Sequence, residues 1–294
     1  MMHAASLCLL LSLPFRATGA LTQAPAQSEA PREIVYLTEW PKPASKDTLM
    51  TDIERLVKAR TEEMGTLAHE ALLKCGDSAV PFLLDRYGKE KDEGAHERMH
   101  ALLVELIKPE HSRLLAKRFA SPNLNERTMA MWRAGLNNDP QIRTQAEAAF
   151  AKVEKQGEKA DEFERYAAAL VTTASGSMKG LSVLMDTAGK RWDKYGKEIH
   201  LALRGVRGAE ATAIVSKGLA EADRKPKVAA LRLLSGCGDK SAVPNIKPLL
   251  DSDDNSIRVA AINALRGIID GADPISELSS FEAIEMAKKW KERL

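Results

Sequence analysis

His96-Glu97-Arg98-Met99-His100 holds two imidazoles at a spacing of four, with a glutamate beside the first. On a helix that spacing sets both rings on one face, where they can bind zinc while the glutamate activates a bound water. A zinc site needs a third protein ligand. The extended form of this motif places glycine at 103 and histidine at 106, but this chain has Leu103 and Leu106. A carboxylate from a following helix is the other source; Glu110 is too near, Glu126 is rather far, and Arg98 puts a charge where the motif has an uncharged spacer. A zinc-dependent hydrolase using His96, Glu97 and His100 is therefore the second reading of the chain. The leading reading assigns no catalytic residue, no metal ligand and no cofactor.

Two further stretches invite chemistry. Gly236-Cys237-Gly238 with Ser241 is a near miss of a dinucleotide fingerprint, which must follow a strand and open a helix. Here it follows a helical pattern, so the glycines are expected to be helix caps. Between Lys190 and Arg232 eleven bases stand against five acids, and Trp192 lies next to Arg191. Such a run suits an acidic partner, although a solvated helix face has the same composition. The chain as a whole carries 43 Lys and Arg against 41 Asp and Glu. That balance argues against general nucleic-acid binding, which calls for a strong basic excess.

The elements that position these residues are helical. Ala, Leu, Glu, Lys and Arg are abundant and aromatics are 5% of the chain, which favours helix over sheet. Only "EIVYLTEW" (33–40) has the pattern of a short strand. At the start, an apolar stretch from Leu7 to Phe15 followed by small residues has the form of a secretory signal, with cleavage expected after about residue 20 or 26. The stretch is half the length a membrane span needs. Residues 27–45 are Pro-rich and read as a linker or N-terminal arm, and from 46 to 294 apolar residues recur at spacings of three and four.

Three segments, "KEIHLALRG" (197–205), "VAALRLLSG" (228–236) and "VAAINALRG" (259–267), align without gaps, each 31 residues after the last. The columns Ile199/Ala230/Ala261, Ala202/Leu233/Ala264 and Leu203/Leu234/Leu265 are small or apolar, as close helix packing requires. The columns Leu201/Arg232/Asn263 and Arg204/Ser235/Arg266 are mostly polar and are expected to face water or a partner. The terminal glycines suit left-handed caps. "CGDSAVP" (75–81) and "CGDKSAVP" (237–244) each stop one helix and start the next, and "DPQIR" (139–143) and "DNSIR" (254–258) both read as the start of the other helix of a pair.

A fixed period in this range marks an array of stacked helical units. The unit "GDKSAVPNIKPLLDSDDNSIRVAAINALRGI" (238–268) resembles the HEAT repeats of bacterial phycobilisome-lyase type. The likeness is clear over 177–269 and fragmentary at 63–107 and 123–156, and helix pairing is not readable over 108–176. The resemblance implies an all-α fold, an α-solenoid of about six antiparallel helix pairs, whose second helices line a concave surface that contacts partners. "FEAIEMAKKWKERL" (281–294) would cap the stack. Cys75 and Cys237 would then occupy equivalent positions roughly 50 Å apart at about 10 Å per helix layer, so both are expected to be buried and unpaired. His100 falls on Ile262 or His200 in this register and is expected between packed helices, with His96 at the surface.

The function expected is a non-catalytic scaffold, exported to the periplasm or extracellular space, that binds a protein of acidic character. Its contact stripe would be Lys197, Arg204, Arg232, Asn263 and Arg266. Behind it stand, with the zinc hydrolase, a HEAT-like enzyme accessory and a nucleic-acid-binding protein. Nothing in the sequence points to a small-molecule substrate.

Overall fold

The computed structural model describes residues 34–294. The expected signal segment lies outside the described residues. The regular elements among those described are all helices, with no strand. "EIVYLTEW" is therefore not a strand: from Ile34 it is an extended arm, tied down by Leu37, whose amide donates to the Glu110 carbonyl (3.0 Å), and by Trp40, whose ring lies 4.9 Å from that of His111.

The helices are α1 (Lys46–Val57), α2 (Glu62–Cys75), α3 (Val80–Tyr87), α4 (Glu93–Leu106), α5 (Ser112–Ala116), α6 (Leu124–Ala134), α7 (Arg143–Glu154) and α8 (Glu162–Ala174). They continue as α9 (Leu181–Lys190), α10 (Trp192–Leu203), α11 (Ala209–Ser216), α12 (Arg224–Cys237), α13 (Val243–Ile246), α14 (Asn255–Leu265) and α15 (Ser280–Arg293). From α3 to α14 each odd-numbered helix packs on the even-numbered one that follows. The even-numbered helices from α6 to α14 also pack in succession, and α15 packs on α14. We call these two rows outer and inner. The inner α8 is covered by α6, α7, α9 and α10, and its run Tyr166–Val171 is buried without a break. A helix that is apolar all round is stable only in such surroundings.

Both rows keep one rhythm. The inner N-caps are Asp92, Asn123, Asp161, Arg191, Asp223 and Asp254. Successive caps are about 31 residues apart, except for 38 between Asn123 and Asp161. Turns leading into the outer helices start at Lys108, Asp139, Ser177, Gly208 and Asp239, with the single long step between Asp139 and Ser177. The extra seven residues therefore fall in α7 and the turn after it, which explains why pairing over 108–176 is illegible from sequence spacing.

"DPQIR" differs from its expected role. Asp139 accepts from the Gln141 amide (3.0 Å) at the turn into outer helix α7, as Asp239 accepts from the Ser241 amide (2.9 Å) before α13. "DNSIR" instead opens inner helix α14, with Asp254 accepting from the Ser256 amide (2.8 Å). An aspartate cap serves both kinds of helix start, so the shared letters did not mark equivalent positions.

The apolar columns Ile199/Ala230/Ala261, Ala202/Leu233/Ala264 and Leu203/Leu234/Leu265 are all buried. Gly205, Gly236 and Gly267 are not left-handed caps; positive φ occurs at Gly76, Gly157, Gly176, Gly208 and Gly271. They are packing glycines. A Cβ on Gly236 would lie 2.8 Å from that of Leu203, and one on Gly205 or Gly267 would overlap the carbonyl of Ala174 or Ser235. Buried acids are paired: Arg113 Nε donates to Asp139 (3.2 Å) and Arg127 to Glu164 (2.5 Å) between successive pairs of helices, and Arg118 to Glu126 (2.8 Å) within the α5–α6 pair.

Cys75 and Cys237 are free, and each thiol is directed at the carbonyl one turn back, Ala71 and Leu233. Cys237 is buried, but Cys75 is only half-buried, because it closes the first hairpin rather than an interior pair. Burial pushes the Cys237 thiol up to about 12, which keeps it unreactive.

Candidate functional site

The two histidines of the motif lie on α4, and each meets an aromatic ring. His96 stacks on Tyr87, the last residue of α3, with centroids 4.0 Å apart and planes at 23°. His100 stacks on Trp132 of α6 at 5.5 Å and 15°, and its Nδ1 is hydrogen-bonded to the Tyr87 hydroxyl (3.2 Å). His100 is thus held against α3 and α6 as expected, but it is half-buried and lines a cleft rather than being enclosed between helices. His96 departs from its expected surface position: it is half-buried and its Nε2 is enclosed without a hydrogen-bond partner. The reason is Tyr87, which reaches from a neighbouring helix to cover the ring.

Burial holds both imidazoles below the ordinary histidine range, and it pushes the Tyr87 phenol up to about 12. Glu97 is exposed, and among the described residues no three His, Cys, Asp or Glu side chains converge as metal ligands. Arg98 turns the other way: its guanidinium donates to the Leu56 (2.9 Å) and Val57 (2.8 Å) carbonyls and closes the C-terminus of α1. Arg133 does the same for α4 through Val104 and Ile107 (both 2.9 Å). Cations satisfy the free carbonyls and the negative end of the helix dipole.

The aromatic line continues from Trp132 to Phe163 (6.0 Å) and Tyr166 of α8, and then to Tyr195 of α10, 4.4 Å from Tyr166. These rings line a cleft of about 590 Å³ between α6, α8, α9 and α10. Glu198 stands in it. Its Oε2 accepts from Trp132 Nε1 (2.9 Å) and from the Tyr166 hydroxyl (2.7 Å), so one carboxylate ties three inner helices together. Burial, reinforced by Glu198, holds the Tyr166 phenol well above its usual range. At the mouth lie two ion pairs, Lys190–Asp186 (2.8 Å) and Arg191–Glu162 (3.0 Å), while Lys194 Nζ sits 5.0 Å from the Tyr195 ring centre.

Around the cleft the side chains offer aromatic faces, the carboxylate of Glu198 within, and at the mouth the carboxylates of Asp161, Glu162 and Asp186 among lysine and arginine side chains. Such a set binds and orients.

The expected contact stripe is partly occupied by the chain itself. Lys197 is exposed. Arg204 is exposed but pairs with Asp273 (3.0 Å), which also lies 3.4 Å from His200. Asn263 exchanges two hydrogen bonds with the Ile275 backbone (3.1 and 2.9 Å), and Arg266 donates to the Asp273 carbonyl (3.3 Å). Arg232 donates to the Ala188 carbonyl (2.6 Å), closing α9, and lies over the Trp192 ring. Segment 271–279 therefore covers the stripe at Asn263 and Arg266, whereas Lys197 lies on the same helix as the cleft residues Tyr195 and Glu198.

Trp132, Phe163, Tyr166, Tyr195 and Glu198 were missed by sequence reasoning. One signal existed: once the seven extra residues are allowed for, Trp132 falls in the column of Leu201, Arg232 and Asn263. Compared with family models and with curated proteins, the chain matches none.

Proposed function

We propose that the protein is a non-catalytic HEAT-like α-solenoid that acts outside the cytoplasm by binding another protein through the inner-row cleft. The observation that carries this reading is the run of rings from His100 to Tyr195 across successive inner helices, open at one side and anchored by Glu198. Large rigid rings next to charged groups are the usual anchors of protein recognition, since they bring much contact area at little cost in conformational entropy. Six outer–inner pairs on a 31-residue rhythm support the solenoid. The apolar stretch at Leu7–Phe15 supports export.

The test is capture of partners from an extracytoplasmic extract by immobilised wild-type chain, a Phe163→Ala variant and a Lys152→Ala variant. Lys152 is exposed on outer helix α7. The expected result is a loss of affinity of at least about tenfold for Phe163→Ala, as for an aromatic hot spot, with none for Lys152→Ala. Equal retention by all three would remove the cleft from the binding surface.

A further inference from the structure

We infer that the cleft recognises a cationic side chain, a lysine or arginine of the partner, with Glu198 as counter-charge and Trp132, Phe163 and Tyr195 as walls. This deepens the proposed binding role and rests on it. Glu198 accepts hydrogen bonds only from neutral donors, the Trp132 indole and the Tyr166 phenol, and both go to Oε2. Among the described residues it makes no ion pair, and no hydrogen bond reaches Oε1. The other carboxylates at the cleft are engaged: Asp186 by Lys190, Glu162 by Arg191, and Asp161 by the Glu164 amide at the cap of α8.

A half-buried carboxylate that feels the Arg133 guanidinium, held over the Trp132 ring, but has no cation in contact has lost hydration that neutral donors only partly replace. A ligand cation restores the balance and also meets the negative faces of the rings. The chain itself places two cations against these rings, Lys194 over Tyr195 and Arg133 over Trp132 (5.4 Å). The basic groups at the mouth do not bar entry. Lys190 and Arg191 are 64% and 47% exposed and each is already paired, Arg165 is paired with Glu154 (2.7 Å), and Lys194, without an ion pair among the described residues, is exposed, so solvent and partners screen them. At about 590 Å³ the cleft is far larger than a lone ammonium needs, and the surplus suits the backbone on either side of a peptide side chain.

The experiment follows the Trp132 indole N–H by nuclear magnetic resonance in the full chain, with the signal assigned through a Trp132→Phe variant. Capped tripeptides Gly-Lys-Gly, Gly-Arg-Gly, Gly-Gln-Gly and Gly-Glu-Gly, and tetramethylammonium chloride, are titrated at constant ionic strength. The lysine and arginine peptides are expected to shift the signal saturably and the glutamine and glutamate peptides are not. Glu198→Gln keeps an acceptor for Trp132 and Tyr166 and should retain helix content, yet weaken the cationic peptides about tenfold, the worth of a charge-assisted bond. Equal shifts from the glutamine peptide, or undiminished binding by Glu198→Gln, would overturn the inference. Binding of tetramethylammonium but of neither cationic peptide would overturn the assignment to a protein side chain. The two readings fail separately: partner capture that needs Phe163 but not the Glu198 charge removes only the cation, and cationic peptides that bind while capture ignores Phe163 remove only the partner site.

Discussion

His96, His100, His111 and His200 are all held below the ordinary histidine range, chiefly by burial. Asp77 opposes the shift at His111 and Asp273 at His200, without reversing it. In each case the unfolded chain takes up a proton before the folded one does. Stability is therefore complete above the unfolded value of about 6.5 and falls as pH drops through the window from there to the lowered folded values. Urea midpoints at pH 7.5 and 5.5 should show the loss; a midpoint that held or rose at pH 5.5 would contradict it. Sequence spacing was enough to set His100 against neighbouring helices, because Leu231 and Ile262 share its repeat column with His200, but not to show that its ring lines the cleft. It could not foresee that Tyr87 covers His96, since that contact joins two helices at no fixed spacing. The cleft was hidden for a similar reason: its rings and Glu198 come from three helices whose register is broken by the insertion in α7.

Helices in successive pairs approach closely where the chain has Gly205, Gly236 and Gly267, which recur at the 31-residue period. The recurrence was plain in the sequence, but its cause was not, because a glycine at a helix end serves a left-handed cap and a close approach alike. Geometry separates the two. Gly267→Ala should destabilise the fold by about 1–3 kcal/mol through overpacking against the Ser235 carbonyl, whereas Gly271→Ala, with open space around it, should lose only the smaller amount due to its positive φ. Urea unfolding of the two variants compares them, and a greater loss at Gly271 would show that capping matters more. Arg98 and Arg133 show the same ambiguity: as letters they spoil a metal motif or add charge, while in space they close the ends of α1 and α4.

At the scale of the molecule, helix class, the 31-residue period and the terminal helix were legible, because each rests on local pattern repeated many times. Segment 271–279 was not, since a single crossing over Asn263 and Arg266 leaves no periodic trace. It directs attention from the stripe of basic residues to the cleft between α6, α8, α9 and α10. The most direct test is hydrogen–deuterium exchange of the whole chain, free and bound to its captured partner. Protection on binding should centre on residues 161–166 and 186–198 together with the Trp132 region of α6. Protection confined to the outer helices α5, α7 and α11, with the cleft unchanged, would contradict the account.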